Sequence, residues 1–439
     1  MKAAVIGSGI AGLAAAHRLR GHADVTLFEA GDYFGGHTHT VDLTLPDGSG
    51  HLVTHGIDTG FLVFNERTYP QLIALFDELR VPTCASDMSF SVQVPLAFGA
   101  KPLEWSGSTL SSVFSQRANL LRPRFWRMLR DLLRFNALAT RIARSGAAEE
   151  LAQPLDDFLR AHAFSAEFQE WYLLPMIGCI WSCPTEQMLR FPVGTLIRFC
   201  DNHGLLQVLD RPRWHTVRGG ARNYVERIIE GVADKRLQTP VVEVRRDGDG
   251  VDVRTPAGWE RFDHAVIATH SDQALAMLAD ADDRERALLG AIAYQPNRAV
   301  VHTDRSVLPR DERAWAAWNY ERSADAPGGA QVCLHYLINR LQPLPWKQPV
   351  IVSLNPVRAI DPNRILGTYD YAHPVFDAAA VEAQARLGII QGRRRTWFAG
   401  AWAGYGFHED GLKSGLAAGA GVLLQAQLQR AAESTGALA

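Results

Sequence analysis

Cysteine is scarce, with five residues (Cys84, Cys179, Cys183, Cys200, Cys333) in a chain of 439. So odd and sparse a set is unlike the dense disulfide frameworks of secreted domains and points to a reducing, cytoplasmic compartment. An excess of one charge is lacking too. The 45 Lys and Arg face 47 Asp and Glu, a formal net charge of −2, so no global basic surplus argues for nucleic acid. No uninterrupted apolar run approaches the roughly 18 residues of a bilayer span. Gly7, Gly9 and Gly12 interrupt the apolar N-terminus where a signal peptide would keep a continuous core, so no cleaved signal is expected. Repeats and low-complexity tracts are missing. At 47% hydrophobic and 21% charged residues, the composition is that of a folded chain. Its length allows about two to four domains or one large interleaved pair.

Metal chemistry also lacks a pattern. Cys179 and Cys183 are spaced C-x(3)-C with no second such pair, and His37/His39 and His51/His55 have no matched partner. No metal site is expected, and buried free thiols are the default for the cysteines.

What is present begins at the N-terminus. Ala3–Ile6 is short and apolar throughout, as a strand buried on both faces requires. Gly7-Ser8-Gly9-Ile10-Ala11-Gly12 follows it and opens a helix-forming run to Leu19, and Val25–Phe28 is a second apolar strand ending at Glu29. This β-α-β context gives the G-x-G-x-x-G pattern its meaning. The glycines let the backbone turn tightly, approach a pyrophosphate and offer helix N-terminal amides to its charge. Glu29, 17 residues after Gly12, stands where a carboxylate accepts ribose hydroxyls.

Further on, Leu110–Arg144 and Leu155–Met176 have helical spacing, with Pro123, Pro154 and Pro175 expected as breakers. Val241–Val244, Val251–Arg254 and His264–Thr269 read as strands of a meander, with hairpin turn chemistry at Asp247–Gly250. Arg298–His302, Gln331–Leu337 and Pro349–Leu354 are strand-like, and a last helix is predicted from near Asp410 through Leu428. Residues 117–144 hold eight Arg against one acid, Asp131, interleaved with Leu, Phe, Trp and Met. That combination suits either a solvated helix face over a core or a helix lying on an anionic membrane surface.

Glu29-Ala30 followed by Gly35-Gly36-His37-Thr38 resembles the flavin-containing amine oxidase superfamily, which includes protoporphyrinogen oxidases and carotenoid desaturases. His37 stands where that family usually has Arg after the paired glycines. Thr396-Trp397-Phe398-Ala399-Gly400 resembles its second flavin segment, with Ala401 in place of the usual acid. The run Gly406–Gly415 (GFHEDGLKSG) resembles the segment whose helix N-terminus faces the flavin pyrimidine. Val241–Val244, Ala265–Thr269 and Val217–Gly220 fit weaker family positions. Among bacterial members labelled only as NAD/FAD-binding, the chain looks closest to flavin desaturases acting on methylated fatty acyl chains in furan fatty acid synthesis. Cys179–Ser182, Asn339–Gln342 and Leu354–Pro356 share in that likeness.

The resemblance implies an α/β fold: a Rossmann-like FAD-binding domain in discontinuous segments (1–95, 210–295 and 393–439), with a mixed α+β substrate domain. The latter would comprise a helical insertion (96–209) and a strand-rich part (296–392). It implies non-covalent FAD held by Gly7, Gly9, Ile10, Ala11, Gly12, Glu29, Ala30, Gly35, Gly36, His37, Thr38, Gly60, Val242, Gly400, Asp410, Gly411 and Leu412. No cysteine lies near His408 to anchor a thioether link. Trp181, Arg218 and Tyr405 are expected in the substrate pocket. His408 is the first candidate for a base, near the position of a substrate-flanking aromatic residue in the family's amine oxidases, and Glu409 is the second. The expected activity is desaturation of an apolar acyl chain, a methylated unsaturated fatty acyl group of a phospholipid, by proton removal and hydride transfer to flavin. A flavin amine oxidase acting on a small amine or polyamine and a non-catalytic FAD-binding accessory protein are the alternatives. Expected partners are a lipid or other apolar substrate and an anionic membrane surface, which would place the chain peripherally on the inner face of the cytoplasmic membrane.

Overall fold

The computed structural model describes residues 1–99, 101–145, 151, 153–181, 185–207, 212–322 and 332–436. The first strand, Lys2–Ile6, is buried from Ala3 onward. It pairs in parallel with Asp24–Phe28 on one side and His264–Ile267 on the other. Asp234–Arg236 and Thr396–Phe398 complete a five-stranded parallel sheet. Ala3 and Val5 pack into one apolar cluster with the helix Ile10–Leu19, while Ala4 and Ile6 pack into another with Phe28 and Phe262. Cover on both faces explains why these strands are apolar without alternation. The last helix, His408–Gly436, crosses Ile10–Leu19 closely. A Cβ on Gly415 would stand 2.0 Å from Ala11 O, and one on Gly411 2.7 Å from Ile10 Cγ2.

The meander differs from expectation in its third strand. Glu243–Arg246, Val251–Thr255 and Gly258–Phe262 form it, and His264–Ile267 enters the parallel sheet instead. All four residues of that segment are buried, which suits a central strand, whereas Gly258–Phe262 is largely exposed and suits an outer one.

A seven-stranded sheet makes the second layer, in the order Ile365–Pro374, Tyr294–His302, Ile351–Leu354, Val332–Leu337, Trp318–Arg322, Phe90–Phe98, Lys101–Ser106. Its pairings are antiparallel except where Trp318–Glu321 runs parallel to Phe90–Gln93. The boundary expected after residue 95 therefore falls inside a strand, and residues 90–106 share a sheet with the chain beyond 294.

Helices of the insertion pack on this sheet. Pro123 opens the helix Pro123–Ser145, and Pro154 immediately precedes Leu155–Ala161, as the fixed φ of proline favours at helix starts. Pro175 breaks nothing. A π-helical turn, Gln169–Leu173, runs straight into Leu174–Trp181. Pro175 has no N–H for the carbonyl of Trp171 four residues back, and Trp105 Nε1 donates to that carbonyl instead, at 3.3 Å. Among the described residues no helix is long and apolar enough to cross a membrane.

Candidate active site

A cavity of about 1820 Å³ lies between the two layers. It exceeds the roughly 300–1,000 Å³ of an ordinary small-molecule site, so it has room for a cofactor and a second ligand. One end is the glycine turn. Gly7 has φ +96°, and a Cβ on Gly12 would stand 1.8 Å from Gly7 O, so both glycines are required by the turn itself. Gly9 differs: nothing lies within 4 Å of where its Cβ would be, and it faces the cavity at the N-terminus of Ile10–Leu19. An open cradle at a helix N-terminus fits a pyrophosphate.

Glu29 sits beside it. Ser8 N (3.0 Å) and Ser8 Oγ (2.5 Å) donate to one carboxylate oxygen and Gly31 N (2.8 Å) to the other. The group is held in place with about one of its four acceptor positions left over, as a ribose hydroxyl needs. Ile10, Ala11, Ala30, Gly35, Gly36, His37, Gly60, Val242 and Gly400 also line the cavity. Gly60 approaches His37 so closely that its Cβ would stand 2.2 Å from His37 O. His37 lines the cavity, and its Nε2 is buried without a hydrogen-bond partner. The residues present thus fit a flavin dinucleotide.

The second chamber begins where His408 opens the last helix. Its Nε2 is 2.5 Å from Tyr224 OH and 3.4 Å from Thr38 Oγ1, and Thr38 and Tyr224 are bonded to each other. Its ring stacks on Phe61 at 3.8 Å. Burial, with no ionic partner, pushes His408 down to about 3. Four other imidazoles of the cavity are lowered too. Burial pushes His203 down to about 4. Burial and then His270 do the same to His373, and His37 and His270 are lowered as well. The walls beyond are aromatic and aliphatic, among them Trp105, Tyr172, Phe199, Trp318, Tyr336 and Phe407. Among the described residues, the cavity's charged side chains are Glu29, Asp87 and Arg213.

Several expected site residues lie elsewhere. Glu409 turns away from the cavity and is not placed as a base. Its oxygens accept from Gln71 N and Leu72 N, each at 3.0 Å, closing the first turn of the helix Pro70–Leu79. Asp410 accepts from Tyr405 N and Phe407 N, and burial pushes it up to about 6. Gly411 and Leu412 pack under the nucleotide layer, where Gly411 meets Ile10 and Leu412 is fully buried. Thr38 reaches the cavity only through His408. Arg218 is exposed on the outer surface. Trp181 and Tyr405 do not line the cavity and lie behind its wall, with Trp181 Nε1 donating to Tyr405 O at 3.4 Å and Trp181 packed on the lining residue Phe199. Of the aromatic residues missed from the sequence, Trp105, Trp318 and Tyr336 sit on strands with alternating faces, while Tyr172 and Phe199 sit on helical turns and Phe407 just before the last helix. Alternation along a strand marks two faces without saying which one meets the cavity.

Cys179 lines the cavity, Cys84, Cys200 and Cys333 are free as well, and Cys183 and Ser182 lie outside the described residues. Glu321, Cys333 and His335 bring their ligand atoms within 4.8 Å of one another. Arg358 Nε lies 2.6 Å from Glu321 Oε1, and His335 is pushed up to about 9, against its burial, by Cys333 and Glu321. This is a buried ion-pair network in which a cation would meet two positive groups.

A profile of the flavin containing amine oxidoreductases matches residues 10–423. Among solved structures, the CLA-producing fatty acid isomerase from P. acnes superposes with a TM-score of 0.65 at 16% identity, covering 94% of this chain and 97% of that one. Cyclohexylamine oxidase from Brevibacterium oxydans IH-35A gives 0.67 at 17% identity, covering 97% and 99%. The putative protoporphyrinogen oxidase from Exiguobacterium sp. 255-15 gives 0.62 at 15% identity, covering 97% and 99%. No curated protein sequence matches this chain. At such identities the structures speak to the fold, while the profile speaks to the family across nearly the whole chain. With a dinucleotide cradle at one end of the cavity and a family match from residue 10 to residue 423, the chain belongs to the flavin-containing amine oxidoreductase family and is a flavin-dependent oxidoreductase.

Proposed function

We propose that this oxidoreductase desaturates an apolar acyl chain, a methylated and already unsaturated fatty acyl group of a phospholipid, with FAD bound non-covalently. The largely aromatic and aliphatic wall of the second chamber carries the reading. Burial pushes His408, His203 and His373 down there, and Asp87 already accepts from Ser89 N, Ser89 Oγ and Arg340. A protonated amine would give up its hydration there with little in return, whereas a hydrocarbon loses nothing. The fatty acid isomerase among the superposable structures supports an acyl ligand in kind.

Bound flavin supplies a two-electron acceptor for a hydride. The state of His408 favours one order of events. An imidazole pushed down to about 3 is too weak a base for an ordinary allylic carbon. It suffices for a carbon beside a cation, so the substrate loses its hydride first and a proton from the neighbouring carbon second. His408 receives that proton at Nδ1 when Nε2 donates to Tyr224. One hydride and one proton leave, and one C=C bond forms. Anaerobic mixing with phospholipids bearing methylated unsaturated acyl chains should bleach the oxidised flavin absorbance, and amines should not. Bleaching by amines alone would replace this reading with an amine oxidase, and bleaching by neither would favour a binding protein.

A further inference from the structure

We propose that the surface around the cavity mouth, carried by residues 110–144, docks on an anionic lipid bilayer. Fourteen large apolar side chains are exposed among the described residues, and five of them fall between residues 110 and 133: Leu110 (80% exposed), Leu120 (49%), Leu121 (88%), Trp126 (48%) and Leu133 (60%). Contiguous apolar exposure of this kind marks an interaction site. One mouth of the cavity lies in it. Leu110, Trp126 and Leu133 are exposed and also line the cavity, which continues inward past Phe114, Leu129 and Leu132.

Charge selects the occupant. Among the described residues, the carboxylates that pair with these arginines are withdrawn beneath the surface: Glu167 pairs with Arg124 (2.7 Å) and Arg127 (3.5 Å), and Asp131 with Arg134 (3.2 Å) and Arg130 (3.4 Å). Both acids are buried, while the four arginine side chains stay exposed. Arg117, Arg141 and Arg144 have no carboxylate partner among the described residues and add to the excess. Arginines interleaved with exposed Leu and Trp match a headgroup layer over acyl chains. A second copy meeting this face by two-fold symmetry would set positive against positive. The docking stands on the surface alone, and only the passage of an acyl chain from bilayer to cavity rests on the proposed function.

The test uses the flavin-loaded protein, pelleted with vesicles of phosphatidylcholine with or without phosphatidylglycerol. Binding is expected with the anionic vesicles and should be released by salt. The variant Arg117→Gln/Arg141→Gln/Arg144→Gln should bind about a hundredfold more weakly, on the order of fivefold for each charge removed. Leu120→Ser/Leu121→Ser changes only exposed residues and should also weaken binding, with flavin content unchanged. Equal pelleting with both vesicle types, none with either, or parent-like binding by both variants would overturn the proposal. So would a stable dimer that the Leu120→Ser/Leu121→Ser variant dissociates. Docking without flavin bleaching by the lipid supports this surface and counts only against the substrate reading.

Discussion

Two neighbouring side chains, His408 and Glu409, separate the chemistry from the scaffold. One residue along a helix is a rotation of about 100°. That step puts the His408 ring against Phe61 and the cavity, and the Glu409 carboxylate on the amides of Gln71 and Leu72. His408→Ala and His408→Gln should both keep the flavin and the fold. Each should slow anaerobic single-turnover flavin reduction, by roughly 10²–10⁴-fold if the proton acceptor is lost. Reduction at the parent rate in both would make His408 a purely structural residue. Glu29→Ala removes three acceptor bonds that organise the cradle as well as the one offered to ribose. A charge-assisted bond is worth about 1.5–3 kcal/mol, so FAD affinity by equilibrium titration should fall roughly ten- to hundredfold. Unchanged affinity would remove Glu29 from the cofactor site.

At the scale of elements, the helix Pro70–Leu79 begins with Pro70 and has no capping side chain of its own. Glu409 supplies the cap from the last helix, and Lys413 Nζ lies 3.4 Å from the same carboxylate. Glu409→Ala should therefore cost about 1–2 kcal/mol of stability by chemical denaturation, while the rate of flavin reduction stays within a few-fold of the parent. A loss of reduction with stability intact would return Glu409 to the catalytic candidates. The last helix was legible near Asp410, and the interruptions at Pro123 and Pro154 were legible from the prolines themselves. Continuity through Pro175 was not. Its helix survives because Trp105, distant in sequence, takes the carbonyl that the proline leaves free.

Across the whole molecule, acid should be the chief threat to the fold. Burial pushes His203, His264, His302 and His373 down to about 4 and His408 to about 3. Each lies below its unfolded value of about 6.5. Between these values the unfolded chain binds more protons than the folded one. The contribution of each is thus fully present above about 6.5 and is lost as the pH falls toward 4. Asp58, pushed up to about 7 by burial, and Asp410, pushed up to about 6, act in the opposite sense, but they are two against five. Tm from calorimetry should drop steadily from pH 6.5 to pH 4. A flat profile over that interval would mean that the histidines are accessible to protons in the folded state.

By itself the sequence determined the nucleotide end of this protein. The strand, the glycine turn, the helix and Glu29 lie within the first 29 residues, and their geometry follows from local rules of backbone freedom and helix initiation. Three of the seven strands of the second sheet, Tyr294–His302, Val332–Leu337 and Ile351–Leu354, were legible in the same way. Only the tertiary structure decided the second chamber. Alternation along Val332–Leu337 separates Tyr336 from His335, yet nothing local says that Tyr336 faces the cavity while His335 joins Glu321 in a buried ion pair. Phe61 reaches His408, Trp318 reaches Tyr336 and Glu409 reaches Leu72 across long stretches of chain. A side chain's role there is set by what the fold brings opposite it, and no window of sequence contains both partners.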